Sequence, residues 1–216
     1  MKTKLENLNA LELSADDITH VGAIITDPPY GISLSSHCGR GVNGRKENYG
    51  IVGDNNQDAG LHIIKIAKQA KIPVVAFFAS PYKPWPGSWR NLIVWDKGGG
   101  TGFGGDTKTC LRRTWELIQV QNASPINEGR PESVWRCTFS NQIFKSHNCA
   151  KPVQLMERLI ATFVPPGSMI LDPFMGSGST GVAAKNLGYD FWGIELEEHH
   201  YNTAHERITN TQPTLL

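Results

Sequence analysis

The stretch DPFMGSGST, residues 172–180, decides the fold that this chain can adopt. The apolar residues 169–171 before it predict a short buried strand, and its two glycines predict a tight turn whose backbone a ligand can approach closely. The residues that follow predict a helix whose first N–H groups face the turn and favour an anionic group there. Glu195 ends the next predicted strand, 23 residues after Asp172, at the spacing of an acid that binds ribose hydroxyls. The stretch therefore predicts a nucleotide-like cofactor site at a strand end.

Spacing bears on two other interpretations of the glycines. A P-loop requires a lysine before its hydroxyl residue, and the sequence GST at residues 178–180 has none. Gly176, Gly178 and Gly181 have the spacing of the dinucleotide fingerprint G-x-G-x-x-G, so spacing leaves dinucleotide binding open for this turn. Gly100, Gly102 and Gly105 match that fingerprint, but no helical pattern follows them, so this tract is interpreted as a loop.

Short β-rich runs alternate with helical patterns along the chain, which predicts a parallel sheet covered by helices. Pro152 suits the first position of one helix, and Gly188 suits the end of another. We expect an α/β fold, a Rossmann-like, doubly wound, mostly parallel sheet with helices on both faces, in a single domain over residues 1–216. The predicted strands lie at residues 23–26, 74–79, 92–95, 115–121, 169–171 and 190–195. The predicted helices lie at residues 59–70, 152–163, 179–187 and 197–208.

The composition fits a globular domain that needs neither disulfides nor a metal to fold. The chain has 216 residues, of which 39% are hydrophobic, enough for an ordinary core. Its four cysteines show no paired spacing, which favours a reducing, cytoplasmic setting. Cys137, His147 and Cys149 lack the spacing of zinc ligands, so we expect no metal. We also expect no leader and no membrane-spanning segment, because no apolar run is long enough.

The charge is distributed unevenly along the chain. The net charge is +1, whereas residues 31–151 carry 16 basic and 8 acidic side chains. Two interpretations stay open, an accidental excess on a solvated surface and a face that contacts phosphates. Two glycine-rich polar stretches of this region, residues 31–58 and 97–107, are predicted to be long loops. Because both follow predicted strand ends, we expect them to border the site.

A second candidate site lies far upstream, where the predicted strand at residues 23–26 runs into the sequence DPPY. Asp27 provides a hydrogen-bond acceptor, Pro28 and Pro29 fix the backbone, and Tyr30 provides a ring on which a planar group can stack. An Asp-Pro-Pro turn alone is often only structural. The tyrosine at a strand end makes the combination less common, and it suits a planar amine.

At these two sites the chain resembles the amino-methyltransferases of DNA, which transfer a methyl group from S-adenosylmethionine to an exocyclic base nitrogen. The DPPY motif precedes the glycine turn, an order similar to the permuted β class of this family. DPPY is typical of adenine-N6 enzymes, whereas a serine in place of Asp27 is typical of cytosine-N4 enzymes. The resemblance covers DPPYG (residues 27–31), FFAS (77–80), RNLIVWDK (90–97), HNCAKPVQLMERLI (147–160), LDPFMGSGSTGVAA (171–184) and GIELEEHHYNTAHERI (193–208).

The resemblance implies roles for individual residues, with S-adenosylmethionine as the cofactor. It implies that Glu195 holds the ribose and that Lys151 lies near the methionine end. Asn9 stands near the position where relatives carry an acid that contacts the adenine of the cofactor, and its amide oxygen can accept in its place. The candidate cofactor-binding residues are Asn9, Asp27, His147, Lys151, Asp172, Pro173, Phe174, Gly176, Ser177, Gly178, Ser179, Thr180 and Glu195. The candidate catalytic residues are Asp27, Pro28, Pro29 and Tyr30.

The resemblance implies an adenine-N6 methyltransferase that acts on DNA, the expected partner. Only about 25 residues separate the strand at 115–121 from the block at 147–160, too few for the separate recognition domain that many relatives insert there. We expect DNA contacts from two loops, residues 31–58 and 128–146, through Arg40, Arg45, Lys46, Arg130, Arg136 and Lys145. Cytosine-N4 methylation, methylation of RNA or a protein amide, and DNA binding with reduced catalysis stay open as alternatives. The sequence also leaves open whether the protein forms a homodimer or works beside a restriction enzyme.

Overall fold

The structure, a computed structural model, describes residues 1–31, 35–36, 49–50, 55–98, 111, 114–126, 129, 131–138 and 150–212. The strands are β1 (Thr3–Asn7), β2 (Ala23–Thr26), β3 (Ser35–Ser36), β4 (Tyr49–Gly50), β5 (Val74–Ala79), β6 (Asn91–Asp96), β7 (Trp115–Gln121), β8 (Val134–Arg136), β9 (Met169–Asp172) and β10 (Asp190–Glu195). The helices are α1 (Asp58–Gln69), α2 (Val153–Phe163), α3 (Ser179–Asn186) and α4 (Glu198–Asn210), with a 3-10 turn at Ala10–Glu12.

Eight of these strands form one sheet in the order β1-β10-β9-β2-β5-β7-β6-β8, and β3 pairs with β4 separately. Strand β7 runs antiparallel to both of its neighbours, while every other pair in the sheet is parallel. The carboxyl ends of seven strands therefore lie at one edge of the sheet, together with the start of β7. This mostly parallel sheet with helices confirms the predicted fold class.

The strands bury alternate side chains in two cores, one on each face of the sheet. On one face, Ile24 and Phe77 pack with Ile63 of α1. On the other face, Ile25 and Phe78 belong to a cluster that also contains the buried residues of α2, α3 and α4. Helices thus cover both faces, as the prediction of a doubly wound sheet requires.

The order of the strands changes direction between β9 and β2. These strands pair in parallel, with Ala23 opposite Ile170 and Ile24 opposite Leu171. From β9 the chain passes through α3 to β10 on one side, and from β2 it passes through α1 to β5 on the other. In an open α/β sheet the crevice at the carboxyl ends of two such strands is where ligands bind. Both candidate sites lie at that point.

The sequence predicted the central elements closely, with three corrections. Pro152 is the N-cap of α2 and not its first helical residue, because its backbone is extended at ψ 132°. Strands β1 and β8 were not predicted, and both are short and sequence-distant from their partners. The predicted loop at residues 31–58 contains the paired strands β3 and β4 and ends where α1 begins at Asp58.

Within the described part of the chain, none of the helices combines the length and the apolar character that crossing a membrane requires. Among the same residues, no group of three or more His, Cys, Asp or Glu side chains is placed to hold a metal ion.

Candidate functional site

The two candidate sites are joined by a buried hydrogen bond between their strands. Thr26, the last residue of β2, donates from Oγ1 to Oδ1 of Asp172, the last residue of β9, at 2.7 Å. Thr180 Oγ1 donates to the other oxygen of Asp172 at 2.6 Å, and the Phe174 N–H donates to Oδ1 at 3.2 Å. The Asp172 carboxylate therefore fixes the start of the glycine turn, the start of α3 and the residue before Asp27.

The glycine turn leaves β9 and opens into α3 as the sequence predicts. Gly176 and Gly178 have φ values of 49° and 77°, in the left-handed region that glycine adopts without strain. Gly178 is the N-cap of α3, with no side-chain cap. A Cβ added to Gly176 would meet no atom within 4 Å, so the turn borders open space at this residue. The turn therefore offers a concave backbone surface to a ligand.

Arg207 and Glu195 hold the turn from the side of α4 and β10. The Arg207 guanidinium donates from Nη1 to the Ser177 carbonyl at 3.0 Å and to Ser179 Oγ at 3.2 Å. Glu195 accepts the Gly176 N–H on Oε2 and the Glu197 N–H on Oε1, each at 2.9 Å. The acid predicted to bind ribose is thus fixed beside the turn by two backbone N–H groups.

The chain that follows β1 lies beside the same acid. The Asn7 side-chain amide donates to the Glu195 carbonyl at 2.8 Å and to the Leu196 carbonyl at 3.0 Å. The Leu8 N–H also donates to the Glu195 carbonyl, at 3.1 Å. Asn9 accepts the Leu11 N–H on Oδ1 at 3.0 Å and caps the short 3-10 turn. Asn9 is therefore near the predicted ribose acid, with its oxygen already engaged by one N–H group.

The DPPY corner carries a carboxylate with a partner on each oxygen. The Tyr30 hydroxyl donates to Asp27 Oδ1 at 2.5 Å, and Lys151 Nζ donates to Asp27 Oδ2. Pro28 is buried, whereas Asp27, Pro29 and Tyr30 are half-buried. The side chain of Asp27 is 31% exposed, so a ligand can reach it from solvent.

A second carboxylate lies behind Lys151. Because β7 is antiparallel, Glu116 near its start sits at the carboxyl edge of the other strands. Glu116 Oε1 accepts Lys97 Nζ, and Glu116 Oε2 lies 3.5 Å from Lys151 Nζ. The corner thus contains a row of alternating charges that runs from Lys97 through Glu116 and Lys151 to Asp27.

Burial acts on two carboxyl groups of the site with opposite outcomes. Burial raises the pKa of Asp172 to about 6, although its hydrogen bonds to Thr180, Thr26 and Phe174 oppose the rise. Burial also favours a raised pKa at Glu116, but the charges of Lys151 and Lys97 outweigh it and lower the pKa. At neutral pH Glu116 is therefore ionised, and Asp172, whose pKa of about 6 lies closer to neutrality, is mostly ionised.

The structure brings most of the predicted site residues to one edge of the sheet. Tyr30 of the substrate corner and Phe174 of the glycine turn pack against the same hydrophobic cluster. Pro173, Ser177, Ser179 and Thr180 are buried, and they support the turn. Arg136 ends β8 at the same edge and pairs with Asp96 at 2.8 Å. Six further predicted residues lie outside the described part of the chain: Arg40, Arg45, Lys46, Arg130, Lys145 and His147.

Four residues of this site were missed by the sequence analysis. Thr26 directly precedes DPPY, and Arg207 lies within one of the blocks that carry the resemblance, so position alone made them candidates. Lys97 ends another of those blocks, directly after β6, whereas Glu116 joins the site only because β7 pairs antiparallel with β6. No local pattern in the sequence indicates that pairing.

Comparison with known proteins finds similarity to DNA methylases. Residues 108–206 match the N6_N4_Mtase family model, whose description is DNA methylase. YubD of Escherichia coli (strain K12) is 29% identical over 202 residues, which make up 89% of this chain and 83% of YubD. Type II methyltransferase M.HinfI of Haemophilus influenzae is 30% identical over 143 residues, 57% of this chain and 40% of M.HinfI. The chain thus spans less than half of M.HinfI.

Solved structures share the fold over nearly the whole chain. The crystal structure of the M1.HpyAVI–SAM complex has a TM-score of 0.68 at 24% identity and covers 95% of this chain and 98% of its own. PvuII DNA methyltransferase (cytosine-N4-specific) has a TM-score of 0.70 at 15% identity and covers 99% of this chain and 89% of its own. At these identities the likeness shows the fold. The sequence matches add that the chain is similar to DNA methylases of the N6/N4 family, with the family model matching residues 108–206, just under half of the chain.

Proposed function

We propose that this protein transfers the methyl group of S-adenosylmethionine to the N6 amino group of adenine in DNA. One observation carries the proposal. The Thr26–Asp172 hydrogen bond joins the DPPY corner to the glycine turn where β2 and β9 lie side by side. A methyl donor held at the turn and a base held at the corner are then neighbours across one crevice.

The residues at the turn fit the proposed cofactor. Gly176 borders open space where a side chain would otherwise project, and Glu195 presents a fixed carboxylate beside it. We assign the ribose hydroxyls to Glu195 and the cofactor carboxylate to the backbone at the start of α3. When bound, S-adenosylmethionine supplies a methyl group that its positively charged sulfur activates for transfer.

The residues of the corner fit an amino group as the acceptor. The lone pair of an exocyclic amine is delocalised into the aromatic ring, so the nitrogen is a poor nucleophile. It gains positive charge when this lone pair forms the bond to the methyl carbon. Asp27 and the Pro28 carbonyl can accept its N–H bonds, which favours a tetrahedral nitrogen and offsets that charge. Tyr30 can stack on a base that has left the duplex, because an amino group inside the stack is out of reach. No covalent enzyme intermediate is required.

We propose that a basic surface beside this crevice holds the DNA backbone. Arg136 lies at the same edge of the sheet, and its side chain is 75% exposed. The remaining candidate phosphate contacts belong to the loops at residues 31–58 and 128–146, within a region that carries 16 basic and 8 acidic side chains. In this proposal residues 1–216 act as a single catalytic domain, and the loops take the place of a separate recognition domain.

Cytosine-N4 methylation is the second candidate function. The exocyclic amine of cytosine makes the same demands on Asp27 and Tyr30, and the cytosine-N4-specific PvuII enzyme shares the fold. The DPPY motif, with an aspartate where the resemblance implies a serine for cytosine enzymes, favours adenine.

The test is to incubate the purified protein with DNA and S-adenosylmethionine carrying a labelled methyl group, and then to separate the nucleosides. We expect the label in N6-methyl-2′-deoxyadenosine. Label in N4-methyl-2′-deoxycytidine supports the second candidate, and DNA that binds without becoming labelled supports a protein with reduced catalysis.

The matched variants are Asp27→Ala, which removes the proposed acceptor, and Asp16→Ala, which removes an exposed carboxylate outside the site. We expect Asp27→Ala to reduce transfer by at least about 100-fold, a loss typical of removing one group that stabilises transition-state charge. Binding of S-adenosylmethionine should persist, because Glu195 and the turn are untouched. Normal turnover by Asp27→Ala contradicts the assignment.

A further inference from the structure

Glu116 is a buried carboxylate that the proposed mechanism leaves unused. Its side chain is 20% exposed, and the ammonium groups of Lys97 and Lys151 approach it with side chains 15% and 13% exposed. Burying a single carboxylate costs free energy unless nearby cations compensate for the hydration that it loses. Here two lysines do so, and they lower the pKa of Glu116 against the effect of burial. The carboxylate is therefore a permanent negative charge behind the DPPY corner.

Lys151 is held between two carboxylates. Its ammonium donates to Asp27 Oδ2 on one side and lies 3.5 Å from Glu116 Oε2 on the other. Two aromatic rings flank it, with the ring centres of Phe78 and Trp95 at 5.0 and 6.0 Å from Nζ. Attraction to Glu116 and to the ring faces restricts where the ammonium can go. The lysine therefore has little freedom to leave Asp27.

We propose that Glu116 is a positioning residue for methyl transfer, because it holds Lys151 on Asp27 Oδ2. The other oxygen, Oδ1, then releases the Tyr30 hydroxyl and accepts an N–H of the substrate amine in its place. This inference rests on the proposed function. Glu116 acts on the substrate only through Lys151 and Asp27. The two oxygens of Asp27 have different tasks, since Oδ2 binds Lys151 and Oδ1 binds the substrate amine.

The charges of the corner dictate the choice of variants. Glu116→Gln alone leaves two buried ammonium groups facing one carboxylate, which endangers folding. The double variant Lys97→Met/Glu116→Gln removes one positive and one negative charge, so the corner stays balanced while Lys151 loses its support. Glu157→Gln is the matched control, because it makes the same exchange at a carboxylate outside the site, which accepts a hydrogen bond from Asn186 Nδ2 at 2.7 Å.

The proposal predicts that loss of Glu116 lowers kcat and leaves KM nearly unchanged. In the double variant we expect kcat to fall at least about 10-fold, since misplacing a reacting group by about 1 Å costs up to about 100-fold. The KM values for S-adenosylmethionine and DNA should stay within about threefold of wild type, and Tm should stay close to it. A purely structural Glu116 lowers Tm and the yield of folded protein without changing the kcat of the folded fraction. An unchanged kcat in the folded double variant overturns the proposal.

A crystal structure of the double variant gives a readout that does not depend on activity. We expect Lys151 Nζ to move beyond hydrogen-bond distance of Asp27 Oδ2, and an ammonium that stays on Oδ2 overturns the inference. If the wild-type protein labels no DNA, the proposed function fails, while this structure still decides whether Glu116 positions Lys151.

A second variant covers the case in which the double variant does not fold. Glu116→Asp keeps the charge but withdraws the carboxylate from Lys151 by one methylene. It should fold and lose at least about fivefold in kcat with KM values unchanged, because positioning errors act on the transition state. A kcat equal to that of wild type overturns the proposal in this variant as well.

Discussion

Replacing Asp172 by asparagine gives a quantitative test of the buried bond network that joins the two halves of the site. The Asp172 side chain is 3% exposed and accepts three hydrogen bonds, and burial raises its pKa from 3.8 to about 6. One pH unit corresponds to about 1.36 kcal/mol, so ionising this group costs the folded state about 3 kcal/mol. Asparagine keeps the shape and one acceptor oxygen, and it does not titrate.

The raised pKa of Asp172 determines how its contribution to folding stability changes with pH. Well below about pH 4 Asp172 is protonated in both the folded and the unfolded chain, and its favourable contribution is complete. As the pH rises through about 6 the contribution is lost, because the unfolded chain releases the proton first. The stability of the wild type relative to Asp172→Asn should therefore fall with rising pH. About half of the 3 kcal/mol, close to 1.4 kcal/mol, should be lost between pH 5 and pH 7.5.

The assay is urea unfolding followed by tryptophan fluorescence, with both proteins at pH 5, 6 and 7.5, at fixed salt and without ligand. Asp16→Asn, a substitution of an exposed carboxylate, serves as the surface control. A stability difference between wild type and Asp172→Asn that stays constant within about 0.5 kcal/mol, or that grows in favour of the wild type with pH, refutes the reasoning.

Two further predictions concern the turn and the DNA surface. Gly178→Ala should destabilise the protein by about 1–3 kcal/mol in the same urea assay, because φ is 77° and the added Cβ would lie 3.1 Å from Ala204 Cβ; a loss below about 0.5 kcal/mol would contradict this. Arg136→Ala should weaken DNA binding about equally for all sequences and reduce the slope of log affinity against log salt by about 1. Fluorescence anisotropy over a salt series measures that slope, and an unchanged slope removes Arg136 from the DNA surface.

The elements that the sequence predicted best are those with local signals. The apolar residues of β9 and the two left-handed glycines specify the strand, the turn and the start of α3. Gly188, with φ 75°, follows the end of α3 as predicted from its position. Helix α2 also carries a local signal, since its apolar residues Met156, Leu159, Ile160 and Phe163 recur at helical spacing and are buried. In each case the information lies within a few residues of the element.

The strands that were missed depend on distant partners. The sequence TKLEN of β1 is polar, and it forms an edge strand only because β10 offers a row of backbone groups, with Thr3 opposite Phe191. Lys4 then lies over the Trp192 ring at 4.1 Å. Strand β8 has three residues and buries only Trp135 among them. Neither run is long or periodic enough to indicate a strand by itself.

Among the site residues too, those with a local sequence signal could be predicted and those that depend on distant strand pairing could not. The two strand ends could be identified because Asp27 and Asp172 each follow an apolar run, and parallel strands bring their carboxyl ends together. The resemblance places Lys151 near the methionine end of the cofactor, which stays a prediction, and the sequence did not indicate the contact of its ammonium with Asp27. Glu116 could not be predicted, because a parallel β7 would have carried it to the opposite edge of the sheet.

The central claim is that the glycine turn and the DPPY corner form one crevice in which a methyl donor faces a base. The most direct measurement is a crystal structure of the protein with S-adenosylmethionine. The account predicts ribose hydroxyls on the Glu195 carboxylate and a methyl group that points towards Asp27 and Tyr30. A cofactor bound away from Glu195, or with its methyl group turned away from Asp27, would contradict it.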